Sequence, residues 1–357
     1  MDMTRRAFVA TAGITALAGC SGSALSGVGG EETPSGISPP LRDGRLPQPG
    51  EPQALRSEAI SGGPPKDGIP SIDEPSFVDP GDASNLSDGD VVFGLTRDGV
   101  AKAYPQSILV HHEICNDTAA GEPVSVTYCP LTGTAIGFQR GETTFGVSGR
   151  LINNNLIMYD RGTETWWPQV LASSIPGPWN DSPPDASLRE FRLLWTTWGQ
   201  WRELHPDTRV LSRDTGYARD YGSDPYGSYN PRGGYYAGGS TNFPRLNPDD
   251  RFGQKRVFIG TRTDDGAAAF LKDALREKGA ISGMLGGDPI VAVYDPRLDT
   301  AYAYRNPEGA NVTFEDDRPR VDGSEYDPDS LPLERVYAFD AMWFAWSGFY
   351  PDSNVYA

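Results

Sequence analysis

The chain has 357 residues, with 48 Asp and Glu against 31 Lys and Arg, a formal net charge of −17 at pH 7. That balance excludes a nucleic-acid binder, because no basic stripe is present to neutralise phosphates. Lysine is confined to Lys66, Lys102, Lys255, Lys272 and Lys278, and solvated, mutually repelling carboxylates of this kind keep a halophilic protein soluble in strong salt.

At the start of the chain, Thr4-Arg5-Arg6-Ala7-Phe8-Val9 is a twin-arginine n-region, and an apolar stretch runs from Ala7 to Ala18. That stretch is shorter than the ~20 apolar residues a spanning helix needs but suits a signal peptide over residues 1–19. It ends in Leu17-Ala18-Gly19-Cys20, where cleavage before the cysteine would leave Cys20 as the lipidated residue. The expected location is therefore the extracytoplasmic face of the cell membrane. The expected partners are the twin-arginine export machinery and the lipid membrane, reached through Cys20. One lipid chain binds only marginally, so a second chain or contact is expected too.

Residues 20–80 read as a flexible stalk rich in Ser, Gly and Pro, without lasting apolar periodicity to offset its ordering entropy. Residues 81–357 are the folded part, expected to be mainly β with a few short helices (α+β). Within it Ala101, Ala103, Leu109, Gly121, Pro123, Tyr128, Pro130, Thr134 and Ala135 recur, at one constant offset, as Ala267, Ala269, Leu275, Gly287, Pro289, Tyr294, Pro296, Thr300 and Ala301. Each copy predicts a strand, a turn at Asp98-Gly99 or Asp265-Gly266, and a second strand or short helix. A tight turn at Gly121 or Gly287 and two further strands follow. The expectation is two related β-rich units from an internal duplication, at about 85–150 and 256–350, joined by a connecting region over 150–255. That connector holds a helix from Trp198 capped by Thr196 or Thr197 and stopped at Pro206. It also holds a long aromatic and Gly-rich loop over 214–242, a length that usually signals a site or disorder. The aromatic tail Met342–Pro351 reads as a packed closing strand.

The copies differ where reactive groups lie: Cys129 stands where the second copy has Asp295, and His112 where it has Lys278. Cys129 with His112 could bind copper or zinc, or the imidazole could activate the thiol as a nucleophile. Glu113 is a third catalytic candidate, and Glu113 or Asp160 would orient the imidazole. A Cys115–Cys129 disulfide and an inert buried thiol remain open beside these. Asp160, Arg161, Arg219 and Tyr221 are candidate ligand-binding residues, since an arginine beside aromatics can hold an anion bidentately; structural ion pairs are the plainer reading.

Val110-His111-His112-Glu113-Ile114-Cys115-Asn116-Asp117-Thr118, followed by Thr127-Tyr128-Cys129-Pro130-Leu131-Thr132-Gly133-Thr134-Ala135, resembles the uncharacterised domain of unknown function 3179 family, here as an exported lipoprotein of a salt-loving archaeon. Phe145–Gly149, Met158-Tyr159-Asp160-Arg161, Arg219-Asp220-Tyr221 and Trp343-Phe344-Ala345-Trp346 fit the same pattern, so the resemblance spans about 85–350. It implies no activity, but it groups His112, Glu113, Cys129, Asp160 and Arg161 as a shared constellation. The family often reads Cys-Pro-Leu-Cys-Gly where this chain has Thr132, which weakens a dithiol reading. Two functions follow as expectations. One is a metal-binding or thiol-dependent protein centred on Cys129 and His112. The other is a non-catalytic module that binds a ligand or partner through the 214–242 loop.

Overall fold

A computed structural model describes residues 34–357; the twin-arginine motif, the apolar stretch and Cys20 lie outside the described residues. Val91–Arg97 and Val100–Pro105 pair as a hairpin. Its turn residues Asp98 and Gly99 both have positive φ, 46° and 79°, matching the right-handed twist of the flanking strands. A short helix, Gln106–Leu109, leads into a meander of Ile114–Ala119, Glu122–Cys129 and Thr134–Gln139. Glu190–Phe191 then pairs with the last of these, and Leu194–Thr197 pairs with Val91–Arg97. The helix Trp198–Leu204 follows, its N-terminus capped by Thr197 Oγ1, which accepts from the Gln200 amide. Arg209–Leu211 completes the set by running parallel to Val100–Pro105.

Every one of these pairings occurs again. Val257–Thr263 and Gly266–Leu271 form the hairpin, Lys272–Lys278 the helix, and Ala280–Leu285, Asp288–Asp295 and Thr300–Arg305 the meander. Arg335–Val336 pairs with the end of the meander and Ala338–Met342 with the start of the hairpin. The helix Trp343–Phe349 and the parallel strand Asn354–Tyr356 close the second half. The architecture is thus mostly strand with five short helices among the described residues. The halves share one interior: Val92, Trp201 and Val210 of the first pack in one apolar cluster with Val291, Val293 and Tyr302 of the second.

Three expectations are corrected. Residues 190–211 are not a connector, because they complete the sheets of the first half. Their sheet partners lie more than 50 residues back in the chain, beyond an inserted sheet built from Phe145–Ile152, Asn155–Asp160 and Trp166–Pro168. From residue 34 onward the supposed stalk is packed on the domain. Leu46, Leu55 and Ile72 are buried, and Ile60–Ser61 is an edge strand against Phe145–Ile152. Single apolar residues each enter a surface made by other strands, so no periodicity marks them. The aromatic tail forms a helix, Trp343–Phe349, with every residue buried. A helix apolar all round lacks the one-sided stripe that would have declared it. The 214–242 loop carries a small hairpin, Gly227–Tyr229 with Arg232–Gly234.

Candidate functional site

The helix Gln106–Leu109 ends in a turn that presents His111, His112 and Glu113. The Glu113 amide donates to the Leu109 carbonyl at 2.7 Å and its own carbonyl accepts from the Tyr128 amide at 2.7 Å. The second half makes the same two bonds at Gly279, to the Leu275 carbonyl at 2.8 Å and from the Tyr294 amide at 2.7 Å. Gly279 has φ +73° and Glu113 has φ +60°. The left-handed region suits glycine at a helix end and costs another residue about 1–2 kcal/mol. The first half therefore sets a carboxylate at a backbone position built for glycine.

Glu113 is 7 % exposed, and its carboxylate takes part in no hydrogen bond or ion pair among the described residues. Burial raises its pKa to about 8, so at neutral pH it is mainly the uncharged acid. It lies within electrostatic reach of Cys129 and Tyr226, whose pKa values are raised first by their own burial and then by Glu113.

His112 is fully buried with both ring nitrogens engaged, Nδ1 2.8 Å from the Pro70 carbonyl and Nε2 2.6 Å from the Tyr221 hydroxyl. A carbonyl only accepts, so Nδ1 carries the proton, and Nε2 accepts from Tyr221. Burial lowers the His112 pKa, consistent with this neutral form. Tyr221 in turn meets Thr215 Oγ1 at 2.5 Å. His111 Nε2 lies 2.9 Å from the Ser223 carbonyl. Both imidazoles thus fasten the 214–242 loop to the turn.

Cys129 has other partners. Its sulfur lies 3.5 Å from the Asn154 carbonyl and accepts from the Leu156 amide at 3.4 Å. Burial, with Glu113 second, raises the thiol pKa to about 11. The expected His112–Cys129 ligand or nucleophile–base pair is therefore not formed, and the imidazole is oriented by Pro70 and Tyr221 rather than by Glu113 or Asp160. Cys115 and Cys129 are both free thiols, not a disulfide. Among the described residues no group of three or more His, Cys, Asp and Glu is brought together to hold a metal, copper and zinc included.

Asp160 is buried and accepts from the Thr163 amide, the Thr163 hydroxyl and the Trp167 indole; these bonds fix a turn. Arg161 pairs with Asp67 and Asp73, each at 3.2 Å. Arg219 is exposed, and Tyr221 serves His112. Of the sequence candidates, His112 is bonded to Tyr221, the next residue Glu113 lies near Cys129, and Asp160 and Arg161 are held by other groups.

At the 214–242 loop the sequence points to the aromatics but not to Lys255. A cavity of about 540 Å³ is lined by Asp224, Tyr226, Tyr235, Ser240, Asn242 and Lys255. Lys255 is 6 % exposed, lies 3.3 Å above the Tyr235 ring and donates to the Tyr235 carbonyl, with no carboxylate partner. Burial lowers its pKa to about 8. The Tyr235 hydroxyl donates to the Leu131 carbonyl at 2.7 Å, and Tyr229 stacks on Tyr236 at 3.7 Å beneath the Tyr128 hydroxyl. One signal for Lys255 was present: it is a rare lysine in Gly253-Gln254-Lys255-Arg256, with no acidic residue beside it.

A family model described as "Protein of unknown function (DUF3179)" matches residues 66–353. No curated protein and no solved structure matches.

Proposed function

Because the chain belongs to the DUF3179 family, whose description assigns no activity, we propose a function from the site: a binding protein that takes a small polar ligand beneath the 214–242 loop, with Glu113 as a buried, uncharged acid behind Tyr226. The observation that carries this reading is the glutamate in place of glycine. Strained backbone persists where the surroundings over-determine it and concentrates at functional sites, and a buried carboxyl with a strongly raised pKa is a functional-site signature. The nearby cavity adds two phenol rings, an ammonium group without a carboxylate partner and the Asp224 carboxylate. Together these suit a ligand with a flat face and several hydrogen-bond acceptors, such as a sugar or a small carboxylic acid. A thiol- or metal-dependent activity has less support, because Cys129 is buried with a raised pKa and His112 has no free nitrogen.

Thermal-shift and tyrosine-fluorescence titrations with sugars, amino acids, carboxylates, Zn²⁺ and Cu²⁺ test this. The expected result is stabilisation by an organic ligand that is lost in Tyr226→Ala, weakened in Glu113→Gln and kept in Cys129→Ala. Stabilisation only by a metal ion, lost in Cys129→Ala, would replace this reading with the metal one.

The arginine pair and Cys20 support an exported, lipid-anchored protein facing the outside of a halophilic cell. Cys20→Ser is expected to move it from the membrane fraction to the medium; unchanged retention would remove the lipid anchor from the proposal. The repeated pairing scheme, with the recurring residues, supports descent of both halves from one duplicated unit.

A further inference from the structure

A second cavity, of about 530 Å³, opens where the two halves meet and shares no residue with the Glu113 site. Arg192 enters it just after Glu190–Phe191, and Tyr337 enters just after Arg335–Val336, the matching place in the second half. Arg192 donates from Nη2 to Thr300 Oγ1 at 2.8 Å, while its Nε is buried without a partner. Its guanidinium carbon lies 4.9 Å from the centre of the Tyr302 ring, and that of Arg335 lies 4.3 Å from the same ring. Neither arginine forms an ion pair among the described residues. The Tyr337 hydroxyl is also buried without a partner.

The carboxylates at the rim are committed elsewhere. Asp327 and Asp329 lie 3.2 and 3.6 Å from Arg297, and Asp327 also pairs with Arg318. Arg97 has only the exposed Asp98, at 4.0 Å. His205 lines the same cavity, and burial lowers its pKa. Two like charges held about one ring repel each other in a medium less polar than water, and a chain of net charge −17 has acidic residues in excess to pair them. Guanidinium groups without a carboxylate partner that line one cavity suit an anionic ligand, since guanidinium binds carboxylate and phosphate through paired N–H bonds.

We infer that this cavity binds a small molecule bearing an anionic oxygen group, a carboxylate or a phosphate, held by Arg192 and Arg335. The test uses the full chain at its folding salt concentration, titrated with inorganic phosphate in one arm and succinate in the other, against NaCl of equal ionic strength. Melting temperature and calorimetric heat are read. A saturable response in either arm beyond that of NaCl is expected, and the responding arm identifies the anion. Loss of one charged hydrogen-bond partner weakens binding by about ten-fold or more, which Arg335→Gln, an exposed position, should reproduce without unfolding. Arg192→Gln should abolish the response, and Lys255→Gln should leave it intact. Responses equal to those of NaCl in both arms, or wild-type binding by Arg335→Gln, would overturn the assignment.

Discussion

Trp201 and Trp346 occupy equivalent positions in the two halves, each with its indole over a glycine of the first strand, Gly94 or Gly260. Each Nε1 donates to a hydroxyl seven residues on, Thr208 at 2.9 Å or Ser353 at 3.0 Å. The helix between the antiparallel and the parallel strand is thereby pinned flat on the hairpin in both halves.

The contact leaves no room for a side chain. A Cβ on Gly94 or on Gly260 would stand 2.1 Å from the indole. Gly94→Ala and Gly260→Ala are each expected to cost about 1–3 kcal/mol or more by overpacking, measured by guanidinium unfolding. A loss below about 0.5 kcal/mol, the usual scale of a neutral surface change, would mean that the helix shifts freely.

For Glu113 the sign of the pH dependence is fixed by its raised pKa. The folded protein holds this proton up to about 8, whereas the unfolded chain releases it near the ordinary 4.5. Its contribution therefore declines as pH rises between those values, by up to about 1.4 kcal/mol per pH unit, and levels off above 8. Glu113→Gln keeps the shape and removes the titration. The difference in unfolding free energy between wild type and variant, followed from pH 5 to 9, should carry this slope. A flat difference would show an ionised carboxylate and remove the buried acid from the site.

Much of this arrangement was legible in the residues. The pairs Ala101/Ala267 through Ala135/Ala301 marked the two halves, and Thr197 and Pro206 bounded one helix, because such signals are local. The reach of the first half to Leu211 was hidden, since its last strands pair across an insertion and pairing between distant segments leaves no local trace. At the site, the substitution of Cys129 for Asp295 drew attention to the thiol. The more informative exchange was one residue away from His112, Glu113 for Gly279. Its meaning depends on a left-handed φ, which the turn sets and composition does not. Lys255 lies outside the loop in sequence and meets it at the ring and carbonyl of Tyr235, a contact that leaves no local trace.

Cys129 is expected to be unreactive in the folded protein. A thiol with its pKa raised to about 11 holds almost no thiolate at neutral pH, and the thiolate is the nucleophile. In a Cys20→Ser background, a thiol reagent should label neither Cys115 nor Cys129 until denaturant is added, and then both. Fast native labelling at Cys129 would restore the nucleophile reading.

The bond from Tyr221 to His112 ties the loop to the turn that carries Glu113, so breaking it should loosen the site without touching the acid. Tyr221→Phe leaves the buried Nε2 of His112 and the Thr215 hydroxyl without their common partner, an expected cost of about 1–3 kcal/mol. The pH sense is opposite to that of Glu113. His112 has a lowered folded pKa, so the stability it contributes is present above its unfolded value, near 6.5, and is lost as pH falls through and below that value. Protonation turns Nε2 from an acceptor into a donor and reverses the bond to Tyr221. Limited proteolysis reads the consequence directly: cleavage within 214–242 should be faster in Tyr221→Phe than in wild type at pH 8, with the gap narrowing at pH 5. Equal cleavage rates at both pH values would mean that the tyrosine cluster at 226–236 holds the loop without help from His112.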